Sequence, residues 1–269
     1  MQPMEELMEE QEVMQPVEGP EDEIEVMQPL NVFFGPAEFT RPFKISAKCY
    51  VAKAVSLIGG HLKPDELDWF LLHPQFKHFF HMPKDSNHKL MDMWMLLLRT
   101  TRLEKKKECW FIVNGVPIRF SLREMTLISR LNCKVFPPSM EGLGSLTFVG
   151  KHFGLGSTIT YAKVKAKLLS MKKPGTERLK MVVLYFLCSI IIGKKKGGKQ
   201  APSVTPFFLR IVDDLDLCKT FPWGRLAFEE NMKDIFHLMD HFGGVVGAPW
   251  VFPSFVIPLE VITFWNCTY

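Results

Sequence analysis

The first thirty residues of this 269-residue chain contain no lysine, arginine or histidine. They hold ten acids (Glu5, Glu6, Glu9, Glu10, Glu12, Glu18, Glu21, Asp22, Glu23 and Glu25), so residues 31–269 carry 33 bases against 29 − 10 = 19 acids, a charge of +14 behind an overall +4. An acidic, polar start excludes a secretory signal, which needs a basic beginning and an apolar stretch. The protein is therefore expected inside the cell, in nucleus or cytoplasm, and not secreted. Cysteine pairs are also lacking. The six cysteines (Cys49, Cys109, Cys133, Cys188, Cys218 and Cys267) never approach within 24 positions of one another, which excludes a disulfide framework and the paired ligands of a zinc site. They read as free, buried thiols. Long apolar runs are missing too: the uncharged stretch 181–193 falls short of the roughly twenty residues of a spanning helix, and 242–259 is broken by Gly243, Gly244, Gly247, Pro249, Pro253 and Pro258. No membrane association is expected, and 242–259 reads as irregular chain packed on a core.

What is present is a large apolar body. With 47% apolar and 12% aromatic residues the chain can bury a core, which rules out a wholly disordered or collagen-like class. The tail repeats Met-Gln-Pro at Met1, Met14 and Met27, a period of thirteen, and its acid and proline content predicts disorder over 1–30. An acidic arm folding back on the basic body is the minority alternative. Order is expected from near residue 40, as a single mainly helical domain over 31–245, followed by an irregular Pro-rich segment over 246–269.

Helical spacing of Val51, Ala54, Val55 and Ile58 predicts a helix stopped by Gly59-Gly60, and Pro64 with Asp65 and Glu66 opens the next, which ends before Pro74. A central helix is expected over 89–103, after a short aromatic piece at Phe76, Phe79 and Phe80. The clearest local signal is 109–120, two short strands around Asn114-Gly115, the pair that a tight primed turn needs; Pro117 assigns the second strand to an edge. Ser121 and Glu124 then form a capping box. Further helices are expected over 161–171, 177–192, 205–217 and from Pro222 to Gly243, the last with one face of Phe228, Met232, Ile235, Phe236 and Met239. The fold class is mainly α: seven or eight helices, one small hairpin and a disordered acidic tail.

Chemical motifs are weak. Residues 193–200 match the glycine, four residues, glycine, lysine pattern of a phosphate-binding loop, but Gln200 replaces the magnesium-binding hydroxyl and Pro202 interrupts the helix that should follow. A solvated basic loop is the better reading. His73, His78, His81 and His88 lack ligand spacing and read as histidines of a surface turn. No Gly-x-Ser-x-Gly elbow or activated cysteine is present, and Asp213, Asp214 and Asp216 read as surface and capping charge. No catalytic residue, cofactor or metal site is expected. Lys163, Lys165, Lys167, Lys194, Lys195, Lys196 and Lys199 are the candidate anion-binding positions, because clustered lysines neutralise phosphates. Trp110, Phe120, Trp223 and Phe228 are expected in the core, with Arg225 on a nearby acid or carbonyl.

Two blocks carry a resemblance. Trp110 through Glu124 to Leu131-Asn132-Cys133, and Leu209 to Asp216 with Phe221-Pro222-Trp223-Gly224-Arg225-Leu226-Ala227-Phe228-Glu229, resemble a plant domain of unknown function over roughly residues 45–245. In that family the domain commonly stands before a ubiquitin-like-specific cysteine protease domain, in proteins related to Mutator-like transposons. The strand, strand, capped-helix unit also looks like the plant mobile domain. The family's Gly-Phe-Pro-aliphatic ending is absent from the last twenty residues. The resemblance implies no catalytic residue in this region, since peptidase residues would lie in a separate downstream domain. It leaves three readings: a non-enzymatic binding or accessory module with a protein partner, a protease-associated fragment without its catalytic domain, and a lysine-rich nucleic-acid-binding module.

Overall fold

A computed structural model describes residues 31–41, 44–82, 90–102, 107–193, 201–247 and 249–267. The acidic repeat and Lys194–Lys199 lie outside them, so the expectations of tail disorder and of a basic loop are not addressed. Among the described residues the architecture is mainly helical. It opens with a 3-10 turn at Pro36–Thr40 and strand β1 (Ile45–Ala47), followed by α1 (Val51–His61), α2 (Pro64–Leu71), α3 (Lys77–Phe80) and α4 (Leu90–Leu97). The hairpin β2 (Cys109–Val113) and β3 (Val116–Phe120) leads into α5 (Leu122–Ser129). Then come α6 (Thr147–Phe153), α7 (Tyr161–Ser170), α8 (Thr176–Phe186), α9 (Pro206–Ile211), α10 (Leu215–Thr220), α11 (Trp223–Phe242), β4 (Trp250–Phe252) and α12 (Ile257–Cys267).

α8 is the centre. Its apolar residues surround the whole helix, and from Met181 to Ile192 every side chain is buried, as expected of a helix with neighbours on all sides. It continues into a π turn at Leu187–Ile191. Phe186 meets Phe70, Phe76 and Phe79 at ring distances of 5.6, 4.5 and 5.3 Å, joining α8 to the α2–α3 layer.

Local signals are realised closely. Cys109 pairs with Phe120 and Val113 with Val116 across an Asn114-Gly115 turn with φ of 52° and 80°. On its other side β2 meets residues 99–101, through the Thr100–Phe111 bridge and the Thr101 N–H on Trp110 O at 2.8 Å. That leaves β3, with Pro117, at the edge. Ser121 and Glu124 form the expected capping box on α5. Five cysteines are free thiols, four of them buried, the half-buried Cys133 being the exception; the thiol of Cys267 is not described.

Several expectations need correction. Chain order starts before residue 40: Phe34 is fully buried and Val32 bridges Thr101. Gly59 and Gly60 lie inside α1, because packing of Val51, Ala54, Val55 and Ile58 carries the helix on to His61. The 89–103 helix closes at Leu97, where Thr100 leaves to pair with β2. The helix expected over 205–217 is two, broken at Asp214, whose side chain accepts from the N–H groups of Asp216 and Leu217 and caps α10. The stretch read as irregular after residue 245 contains β4, parallel to β1, and α12. Pro258 sits in the first turn of α12, where it removes no helical hydrogen bond, and Phe252, Phe255, Val256 and Leu259 are fully buried.

Glu66 is more than an N-terminal charge. Its Oε2 accepts from the Lys63 N–H at 3.1 Å and it reaches α8, where Arg178 Nε donates to Oε1 at 3.0 Å and Arg178 Nη2 donates to Oε2. The Gly175 N–H donates to Oε1 at 2.9 Å. Burial alone would raise this carboxyl, but the hydrogen bonds from Arg178, Gly175 and Lys63 outweigh it and hold its pKa below the ordinary value. Removing one partner leaves a buried charge uncompensated. Arg178→Met is therefore expected to destabilise the protein by about 3–5 kcal/mol at neutral pH, read as a shift in the urea midpoint at unchanged slope; a shift no larger than that of a surface substitution would contradict the assignment.

A groove between the capped helix and the long helix

α11 starts in a buried position. Its N-cap, Pro222, offers no side-chain cap, yet the first N–H groups of a helix need acceptors. A remote carbonyl supplies one: Asn132 O accepts from Gly224 N at 2.9 Å and Arg225 N at 3.3 Å. The approach requires glycine, since a Cβ at 224 would stand 2.5 Å from Cys133 Sγ and 2.9 Å from Leu131 Cβ. Arg225 Nε then donates to Lys134 O at 2.7 Å, and Nη1 lies 3.7 Å from Glu229, the carbonyl and acid expected for it. The two sequence blocks that carry the family resemblance are thus the two sides of one contact.

Gln75 holds that contact from below. Its Oε1 accepts from Asn132 N at 3.0 Å, and its Nε2 donates to Lys219 O and Phe221 O, both at 2.9 Å. Trp223, fully buried, donates from Nε1 to Cys218 O at 2.7 Å. His73 belongs to the same assembly, contrary to a surface turn: it is buried, stacks on Phe76 at 3.9 Å, and accepts from the Gln75 and Phe76 N–H groups at Nδ1. Burial pushes its pKa down to about 3, so it stays neutral. His78 is half-buried and His81 exposed, while His88 lies outside the described residues. Among the described residues no group of three or more His, Cys, Asp or Glu side chains stands close enough to hold a metal.

With α5 and α11 fixed in this way, an open groove of about 670 Å³ lies along α11, beside Leu122 at the start of α5 and Lys107 before β2. Leu122, Phe228, Met232 and Phe236 line it together with Lys107, Arg225, Glu229 and Lys233. Helical geometry explains the set: residues four apart share a face, so 228, 232 and 236 form one apolar ridge and 225, 229 and 233 a charged ridge beside it. Phe228 and Met232 are nearly buried; Phe236 is half-buried. The charged lining is three cations and one carboxylate, and Glu230, next to it in sequence, pairs with Lys233 at 2.7 Å. Trp110, expected in the core, is half-buried at the hairpin, its indole N–H on Glu108 at 2.7 Å and Arg119 over its ring.

The lysines singled out by the sequence lie elsewhere. Lys163, Lys165 and Lys167 are on α7, Lys163 donating to Thr158 O at 2.7 Å; Lys194, Lys195, Lys196 and Lys199 are outside the described residues. Gly193 has a packing role: its Cβ would stand 2.7 Å from Lys48 O. The groove was not found from sequence because its apolar ridge reads as core-facing. The signal that would have found it is the charged ridge repeating at the same spacing.

A family profile for a domain of unknown function, DUF1985, matches residues 97–234, from the end of α4 across the hairpin, the Asn132–Gly224 contact and most of α11. The chain belongs to this family. An uncharacterized Arabidopsis thaliana protein is 46% identical over 202 residues, 75% of this chain, and the chain spans about a quarter (25%) of that relative's length. No solved structure matches. Neither finding indicates a catalytic family. Among the described residues no helix is long and apolar enough to cross a membrane.

The far side of α11 holds the C-terminal segment. Asn231 Nδ2 donates to Phe255 O at 2.8 Å, and Ser254 Oγ donates to Asp234 at 2.5 Å. Burial pushes the Asp234 carboxyl from 3.8 up to about 6; the Ser254 hydrogen bonds and His237 oppose this and Glu230 adds to it. Between about pH 4 and pH 6 the folded chain holds a proton that the unfolded chain releases, so stability from this group falls as pH rises through that window. Asp234→Asn removes the dependence. Its Tm relative to the native protein is expected to be higher at about pH 7.5 than at about pH 4; a pH-independent difference in thermal unfolding would show that Asp234 does not titrate this way.

Proposed function

We propose that this domain is a non-catalytic binding module, an accessory part of longer intracellular proteins related to transposons, some of which carry a ubiquitin-like-specific protease domain. The observation that carries the reading is the pair of parallel ridges on α11, one apolar and one charged, lining an open groove whose rim is positive. Such a surface suits an amphipathic segment of a partner protein, with apolar residues at helical spacing and acids beside them. Recognition would come from burial of apolar anchors, with the rim steering acidic segments.

A random peptide library displayed and panned on the whole chain tests this. Enriched peptides should combine Leu, Met or Phe at helical spacing with Asp or Glu, and Phe236→Asp or Lys233→Glu should weaken them about tenfold or more, roughly 1.4 kcal/mol, without loss of folding. Peptides insensitive to both substitutions would overturn the reading.

The α7 lysines support a second reading, polyanion binding. Among the described residues no carboxylate pairs with Lys163, Lys165 or Lys167. If this surface takes nucleic acid, affinity for a duplex should fall steeply between low and physiological salt and drop on replacing the three lysines by glutamine; absence of binding at low salt would eliminate it.

A further inference from the structure

We propose that the groove's occupant in the isolated chain is its own acidic repeat, residues 4–14, acting as an intramolecular ligand that external segments must displace. This rests on the reading of the groove as a binding site. Three observations lead to it.

The first is where the described chain begins. Asn31 O accepts from Arg102 N at 2.8 Å and Val32 bridges Thr101. Thr100 bridges Phe111, which sets Arg102 opposite Cys109, and Cys109 pairs with Phe120. Asn31, Arg102, Cys109 and Phe120 therefore stand in one row across the sheet. At that same end Lys107 precedes β2 and Leu122 follows β3, and both line the groove. The chain leading back from Asn31 starts within about two strand spacings, roughly 10 Å, of Lys107. Phe34, fully buried, fixes this point. An extended segment covers up to about 3.3 Å per residue, so residues 4–14 reach the groove easily.

The second is charge. Residues 1–30 hold ten acids and no base, and the groove presents Lys107, Arg225 and Lys233 against two carboxylates, Glu229 beside Arg225 and Glu230 on Lys233 at 2.7 Å, which leaves one cation in excess. At such proximity the effective concentration of a tethered segment is in the millimolar range, so weak complementarity suffices.

The third is pattern. Met4, Leu7 and Met8 occur at helical spacing, with Glu5, Glu6, Glu9 and Glu10 between and after them. Apolar residues at i, i+3 and i+4 are the anchors that helix-in-groove recognition uses, and methionine adapts to irregular apolar surfaces such as that of Phe228, Met232 and Phe236.

The test uses the full chain with Leu7 replaced by the photocrosslinker p-benzoylphenylalanine. Irradiation at low protein concentration should give an intramolecular crosslink mapping by mass spectrometry to residues 228–236, weakened by added salt and by Lys107→Glu with Lys233→Glu. Crosslinks scattered over the surface, absent, or found only in dimers would overturn the proposal, the last assigning the tail to a second copy. A parallel arm separates the two readings. In a chain with Glu5, Glu6, Glu9 and Glu10 replaced by Gln, peptides selected on the groove should bind several-fold more tightly. Unchanged peptide affinity with no crosslink sinks the tail proposal and leaves the binding module standing; no groove-dependent peptide for either chain sinks the binding module itself.

Discussion

The carbonyl of Asn132 is the point on which the rest of the groove depends. A twenty-residue helix that begins inside the protein brings a buried row of donors with it, and α11 has no side chain of its own to satisfy them. Asn132 O accepts from two of these donors, at 2.9 and 3.3 Å, and does so only because residue 224 has no Cβ. One backbone contact therefore sets both the start and the direction of α11. Since the segment that supplies the carbonyl follows directly on α5, it also sets the spacing between α5 and α11, at whose edge, beside Leu122, the groove opens.

That contact is in turn enforced by Gln75. Its amide uses one acceptor and two donors, on Asn132, Lys219 and Phe221, so two separate segments converge on one side chain of a third. A neutral amide suits this position better than a charge, because burial penalises an ion and leaves a hydrogen-bonded amide nearly unaffected. His73 sits beside it in the neutral form for the same reason. The tertiary unit is thus a small polar assembly inside an aromatic shell of Phe76, Phe221 and Trp223, and it joins the two stretches of sequence by which the family is recognised.

The sequence was legible where structure is local. Asn114-Gly115 set the hairpin, Ser121 with Glu124 set the start of α5, and Pro64 set the start of α2, because each of these depends on residues within four positions. It was misleading where a distant partner decides. Gly59 and Gly60 have no local reason to remain helical, and do so because the buried face of α1 outweighs their entropy cost. Asp214 is the exception, a local cap on Asp216 and Leu217 that breaks a run which periodicity alone reads as continuous. His73 reads as a residue of a surface turn and Glu66 as a first-turn charge; the aromatic packing of Phe76 against Trp223 and the arrival of Arg178 bury them. The site was partly legible in the same sense: the apolar stripe of α11 was read correctly as a stripe, but which part of it faces α5 rather than the core is a property of the packing.

This bears on how the groove should be understood. Phe228 and Met232 are almost buried and Phe236 is half-buried, so most of their area already serves the fold, and the part left for an occupant is their edges. An occupant gains modest apolar burial there and needs a second source of affinity. The charged ridge at 225, 229 and 233 provides it at the cost of salt sensitivity, since exposed charges are screened beyond about 8 Å at physiological ionic strength. A surface of this kind favours occupants that are weakly held, acidic and either tethered or locally concentrated. Exchange between a tethered segment and an external one then becomes a matter of relative charge and concentration, with no change of fold required.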